Sequence, residues 1–177
     1  MNMKRLFFVL PIVGLISFVV IVLSVLLMPR NLQAPPSQLI NRPAPEISSS
    51  VLQGVVSSPA LSSDIRVINF WASYCVPCIY EHAQLLAVAQ ADGVHLTGIT
   101  FNDRVEDAQA FLARYGNPFD IVVDDEASMD AVNWGVSAIP TTFIVSPSGI
   151  VLHRHDNAIN RHDLEEFLER VESARHQ

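Results

Sequence analysis

The hydrophobic pattern changes character along the chain. From Leu6 to Met28 it is nearly unbroken, interrupted by Pro11, Gly14 and two serines. A run of about 20 apolar residues is enough to cross a bilayer core, so a transmembrane helix is expected over residues 6–28. Lys4 and Arg5 precede this run and favour a cytoplasmic N-terminus, residues 1–5; Arg30 weakens that bias. A cleaved signal peptide would have a shorter apolar core and small residues at its cleavage site. Leu26-Leu27-Met28-Pro29-Arg30 offers no such site, so an uncleaved anchor is expected. Residues 29–45 carry five prolines and no apolar period, which predicts a linker.

Beyond the linker, residues 46–177 alternate between strand-like and helix-like periods. Ile47–Val56 is a weak hairpin pattern with Gly54 as its turn or end. Arg66–Ala72 predicts a buried strand and Val76–Ala91 a helix stopped by Asp92-Gly93. Val94–Phe101 is β-branched and apolar, hence a strand. Arg104–Tyr115 has helical spacing (Val105, Ala108, Phe111, Leu112) and ends at Gly116. Phe119–Val123 predicts a short strand, and Ala127–Trp134 a short helix before Gly135. Thr142–Val145 and Ile150–His155 flank a turn-rich Ser146-Pro147-Ser148-Gly149 and predict a hairpin. Arg161–Glu172 is amphipathic, with Asn160 as its N-cap. This order gives an α/β domain with a mixed central sheet and helices on both faces.

Composition narrows the function. The chain has 18 acidic against 11 basic residues among 177, with no basic stripe of the kind that binds nucleic acid. It has only two cysteines, too few for a multi-bridge secreted scaffold. On the outer side of a membrane, a close pair reads as a working redox couple.

The pair is Cys75-Val76-Pro77-Cys78, at the junction between a predicted strand and a predicted helix. Disulfide exchange needs an attacking thiolate and a second thiol to resolve the mixed disulfide. Cys75 falls at the helix start, where free N–H groups and the macrodipole favour a thiolate, so it is the expected nucleophile. Cys78, one turn in and more buried, is the expected resolving thiol. Pro77 is tolerated in the first turn. Val76 and Pro77 bring neither charge nor side-chain donor to stabilise a thiolate, which leans the couple toward reduction.

Zinc and copper sites also use Cys-x-x-Cys, and His82 follows Cys78 by four residues, so metal binding through Cys75, Cys78 and His82 stays open. No fourth ligand is evident, and a surface or capping histidine is the plainer reading of His82. No resident metal or cofactor beyond the dithiol is expected. His95, His153, His155, His162 and His176 show no ligand spacing. Trp71, Tyr74 and Trp134 are candidates for the substrate surface, with core packing the plainer reading, more so for Trp71 and Trp134 than for Tyr74. The second element is Ala138-Ile139-Pro140-Thr141-Thr142-Phe143. About one X–Pro bond in twenty is cis, so the proline alone predicts a trans bond.

Trp71-Ala72-Ser73-Tyr74-Cys75-Val76-Pro77-Cys78, followed later by Ile139-Pro140-Thr141-Thr142-Phe143, resembles thioredoxin-fold proteins. Glu81-His82, Gly116-Asn117-Pro118-Phe119 and Leu39 to Pro45 look most like the membrane-anchored thiol-disulfide interchange proteins of cytochrome c maturation, the DsbE or CcmG type. The resemblance implies that Pro140 is a cis proline walling the dithiol. It also implies that Ile139 offers backbone groups to an extended substrate, with Tyr74 and Thr141 beside it. Thioredoxins proper have an acidic residue where this chain has Asn69. Thr141, where the DsbE type often has Glu, looks more like the anchored reductases of the ResA or TlpA type. Glu81 is the nearest acidic residue for proton handling, although an exposed glutamate on the helix face is expected. The resemblance implies an inner-membrane, periplasm-facing protein-disulfide reductase. Its expected partners are apocytochrome c or heme-ligation factors and a membrane electron donor. A general reductase or a copper-delivery module is the alternative.

Overall fold

A computed structural model describes residues 3–27, 38–56 and 64–175. The chain divides into two units, Met1–Ala34 and Pro35–Gln177. In the first, α1 (Met3–Leu27) is one helix. Its described side chains, at residues 12–24, are all exposed. Among the described residues no helix is long and apolar enough to cross a membrane, so the crossing expected over residues 6–28 is not shown.

The second unit is built on a six-stranded sheet. In chain order its elements are β1 (Ser50–Val56), β2 (Ile65–Trp71), α2 (Val76–Val88), β3 (Val94–Phe101), α3 (Val105–Tyr115), β4 (Ile121–Asp125), α4 (Met129–Asn133), β5 (Thr141–Val145), β6 (Val151–Asp156) and α5 (Asp163–Ala174). The strand order is β1-β4-β3-β2-β5-β6. β2, β3 and β4 are parallel, while β1, β5 and β6 pair antiparallel with their neighbours.

The alternation of side chains along a strand divides the interior into two cores. In β2, Ile65, Val67 and Trp71 face one core and Ile68 and Phe70 the other. The first core is closed by α2, α3 and α5, through Leu85, Val88, Phe111, Leu112, Phe167 and Val171. The second is closed by Ala131 of α4, by Trp134 and by Leu39, Ile40, Ala44 and Ile47. β2 is central and buried on both faces, which is why its sequence is a continuous apolar run.

Two expectations are corrected at the N-terminal edge. Residues 47–56 form no hairpin: β1 is a single strand along β4, with Ser50 opposite Asp124 and Val56 opposite Ile121. Gly54 lies inside the strand, between the points where the register shifts, rather than at a turn. The expected linker overlaps structured chain, because residues 41–44 are bonded to the β5–β6 hairpin. Asn41 N–H donates to Val151 O and Ala44 N–H to Gly149 O, both at 2.8 Å, and Pro43 bridges Ile150. The remainder of that linker, residues 29–37, lies outside the described residues.

Gly98 answers to packing. A Cβ there would lie 2.8 Å from the Phe119 ring and from Trp71 Nε1, and those two rings stack with centroids 5.5 Å apart. This stack fixes the end of β2 from which the dithiol loop departs.

Candidate active site

β2 ends at Trp71, and the next four residues turn into α2. Cys75 N–H closes the turn on Ala72 O at 3.2 Å. Cys75 is the N-cap of α2, its Sγ accepting the Cys78 N–H at 3.2 Å. The attacking sulfur expected from the sequence thus occupies a position normally taken by a capping oxygen, where the free N–H groups of the first turn favour negative charge. Pro77 lies in the first turn, where its missing N–H is harmless. Cys75 and Cys78 are joined in a disulfide, and both are buried, Cys78 the more deeply. Around them Tyr74, Val76 and Tyr80 are exposed.

The Ile139–Pro140 peptide is cis. Pro140 is buried, and its carbonyl accepts the Asn157 N–H at 3.1 Å. Ile139 is half-buried and packs against the core that contains both cysteines. Thr141, expected beside the substrate, is instead 1% exposed, its hydroxyl turned back to Ala138 O at 2.8 Å. As the first residue of β5 it begins the ladder with β2, where Phe70 is its partner.

The AhpC/TSA family matches residues 40–154. The thiol:disulfide interchange protein DsbE of Allochromatium vinosum is 35% identical over 128 residues, 71% of each chain. A DsbE homolog of Paracoccus denitrificans is 36% identical over 145 residues, 80% of each chain. The chain belongs to the AhpC/TSA family and to the DsbE-type thiol:disulfide interchange proteins within it. A crystal structure of a DsbE protein from Chlorobium tepidum superposes with a TM-score of 0.64 at 26% identity, covering 75% of this chain and 95% of that one. The fold is thioredoxin-like, and with its Cys75–Cys78 pair the protein is a thiol-disulfide oxidoreductase.

Behind the dithiol, this DsbE-type protein departs from the sequence reading. Glu81 was expected on the exposed face of α2 but is fully buried. It shares the inward face with Cys78, Leu85 and Val88, spaced as neighbours on one side of a helix. Its Oε1 accepts the Asn69 amide at 2.6 Å and its Oε2 the Ile159 N–H at 2.9 Å. Burial pushes its pKa up to about 7, against the downward pull of those two bonds. Asn69 also donates to Thr142 Oγ1 at 2.9 Å, which ties β2, α2 and β5 together.

His82 is likewise buried, where a surface or capping residue was expected. Its Nε2 lies 2.9 Å from Gly116 O and its ring stands edge-on to Phe111, while burial lowers its pKa. The ring joins α2 to the end of α3. Among the described residues no group of three His, Cys, Asp or Glu side chains is arranged to hold a metal ion.

Trp71 and Trp134 are core residues and Tyr74 is exposed, as the sequence suggested. Tyr74 donates its hydroxyl to Phe101 O at 3.0 Å. Burial, and then the charge of Asp103, raises its pKa. Asp103 itself, bonded to Ser73, was not singled out from the sequence.

Proposed function

We propose that this protein is a membrane-anchored, periplasm-facing reductase that opens a disulfide in apocytochrome c or in a heme-ligation partner. Residues 6–28 anchor it, residues 1–5 stay cytoplasmic, and the thioredoxin-like domain works on the outer side. A heme-attachment segment of the C-x-x-C-H kind must have both thiols free before heme can be joined, so such a reductase fits that step. The DsbE-type relatives support the assignment, and the reducing lean of Val76-Pro77 supports the direction.

The observation that carries the mechanism is Cys75 at the N-cap of α2 with buried Glu81 on the helix face of Cys78. In the reduced protein the Cys75 thiolate attacks one sulfur of the substrate disulfide. That S–S bond breaks, a Cys75–substrate disulfide forms, and the other substrate sulfur leaves as a thiolate. Cys78 then gives its proton to the Glu81 carboxylate and attacks the Cys75 sulfur. The substrate departs with two thiols, and the Cys75–Cys78 disulfide takes the two electrons' worth of oxidation. The cis Pro140 and Ile139 form the wall along which the substrate strand lies, with exposed Tyr74 on the other side. A membrane electron donor returns the disulfide to the dithiol.

Equilibration of the protein with glutathione tests the direction. A potential near thioredoxin's roughly −270 mV is expected, and one near the roughly −120 mV of a strong oxidant overturns the reductase reading. Cys78→Ser traps the mixed disulfide. Capture of apocytochrome and its assembly factors alone supports the dedicated role. Capture of many unrelated proteins supports a general reductase of the ResA or TlpA type, the reading that Thr141 after the cis proline favours.

A further inference from the structure

Asp103 is a buried carboxylate just beyond the end of β3. Its Oδ2 accepts the Ser73 N–H at 2.5 Å and its Oδ1 the Ser73 hydroxyl at 2.9 Å, across 30 residues of sequence. Oδ1 also accepts the Arg104 N–H at 2.9 Å. Arg104, the N-cap of α3, makes no side-chain cap bond of its own, and Asp103 takes only its N–H. The other two bonds of Asp103 reach to the turn that leads into Cys75. Tyr74, the other residue of that approach, is tied by its hydroxyl to Phe101 O. Both residues immediately ahead of the attacking sulfur are therefore held to the end of β3, the parallel neighbour of β2.

We propose that Asp103 is a positioning residue for Cys75: it fixes the turn that seats this sulfur at the start of α2, and its charge disfavours the thiolate there. The proposal rests on the reading of Cys75 as the attacking thiol. The guanidinium of Arg104, next in sequence, faces Glu106 and Asp107 at 3.7 and 3.9 Å rather than Asp103. Three hydrogen-bond donors hold the carboxylate, which is buried against Ser73, two residues ahead of Cys75. Burial first, and then the charge of Asp103, raises the pKa of Tyr74, the residue between Ser73 and Cys75. A like charge disfavours a nearby thiolate, and a couple whose thiolate is disfavoured is the more reducing one. Asp103 thus opposes the helix N-terminus: it holds Cys75 where the free N–H groups are and limits how far they stabilise its anion.

The test compares the full-length chain with Asp103→Asn and Ser73→Ala, all reduced. Thiolate absorbance against pH reports the Cys75 titration, and equilibration with glutathione reports the redox balance. Asp103→Asn keeps the size, removes the charge and leaves one accepting oxygen in place of two. Cys75 should then titrate up to about one unit lower, and the equilibrium should move about three- to tenfold toward the reduced protein. Ser73→Ala keeps the charge and loosens the turn. It should leave the titration nearly in place and slow attack by Cys75 on a small disulfide severalfold. A folded Asp103→Asn protein that titrates and equilibrates like the unchanged chain overturns the proposal. Where Asp103→Asn does not fold, Ser73→Ala decides, and undiminished reactivity of Cys75 overturns it. An unchanged chain that does not exchange with glutathione overturns the functional reading instead, and the thiolate titration still decides the role of Asp103.

Discussion

Asn69 donates its side-chain amide to the buried carboxylate of Glu81 at 2.6 Å. This bond joins the central strand to the helix that bears the dithiol, and it supplies an amide where thioredoxins proper have an acid. The acid in this protein stands on the helix instead. Burial, against the downward pull of this bond, brings the Glu81 pKa up to about 7, poised to exchange a proton near neutral pH.

Replacing Glu81 by Gln removes that proton acceptor while keeping its volume. Resolution of the mixed disulfide by Cys78 should slow by about 10²-fold, the lower range for a positioned general base. The inflection near pH 7 in the rate should also disappear. Stopped-flow reduction of a model disulfide across pH 5–9 measures both. Loss of rate without loss of the inflection would assign the proton to another group.

Glu81 also links folding to pH. Its pKa rises from 4.5 to about 7 on folding, so the native state binds its proton more tightly than the unfolded chain. The favourable contribution is complete below pH 4.5 and is lost as pH rises toward 7. Glu81→Gln should flatten urea-unfolding stability over that window. Asn69→Asp should do the reverse, placing a second carboxyl against the first. It should lower the melting temperature little at pH 5 and clearly at pH 8, and an equal loss at both would show that the lost Thr142 bond dominates.

Gly98→Ala tests the packing beneath the dithiol loop. Its Cβ would meet Phe119 and Trp71 at 2.8 Å, both of them buried rings with little room to shift. Overpacking of this kind costs about 1–3 kcal/mol. Equilibrium unfolding in urea should show that loss with an unchanged slope. Phe119→Leu in the same chain should recover part of it, because it removes the ring edge that the new methyl strikes.

Much of this was legible in the sequence because it rests on local rules. The strand run into Cys75, the 3.6-residue period after it and the glycine at 116 mark β2, α2 and the end of α3. The cis geometry at Pro140 was not legible from the proline itself and came from a resemblance. Glu81 was missed although it falls on the buried stripe with Cys78, Leu85 and Val88, because a charged residue there was assumed to face water. Only its partners explain its burial, and Asn69 and Ile159 are 12 and 78 residues away. Asp103 was invisible for the same reason, since its meaning lies in Ser73 across the parallel β2–β3 crossover. The β1 hairpin expectation failed because Gly54 signals a turn and a strand irregularity equally well, and only the pairing with β4 decides between them.

His153 gives a pH dependence of opposite sign to that of Glu81. It stands on β6 beside a small cavity of about 100 Å³ lined by His153, His155, Asp163, Glu166, Phe167 and Arg170. Burial first, then the charges of Arg170 and His155, lower its pKa from 6.5 to about 4, against the opposite pull of Glu166 and Asp156. The unfolded chain therefore binds the proton first. The stability that neutral His153 contributes is complete above pH 6.5 and drains away as pH falls toward 4. Between pH 4.5 and 6.5 this trend runs against that of Glu81, so the unchanged protein should show a shallow dependence there. The two variants should pull it apart: His153→Gln should leave stability rising as pH falls, and Glu81→Gln should leave it falling. Thermal unfolding at half-unit steps from pH 4 to 8 would resolve the two slopes. Parallel curves for His153→Gln and the unchanged chain would mean that the native ring takes up its proton as readily as the unfolded one, or that the α5 contact opens before His153 titrates.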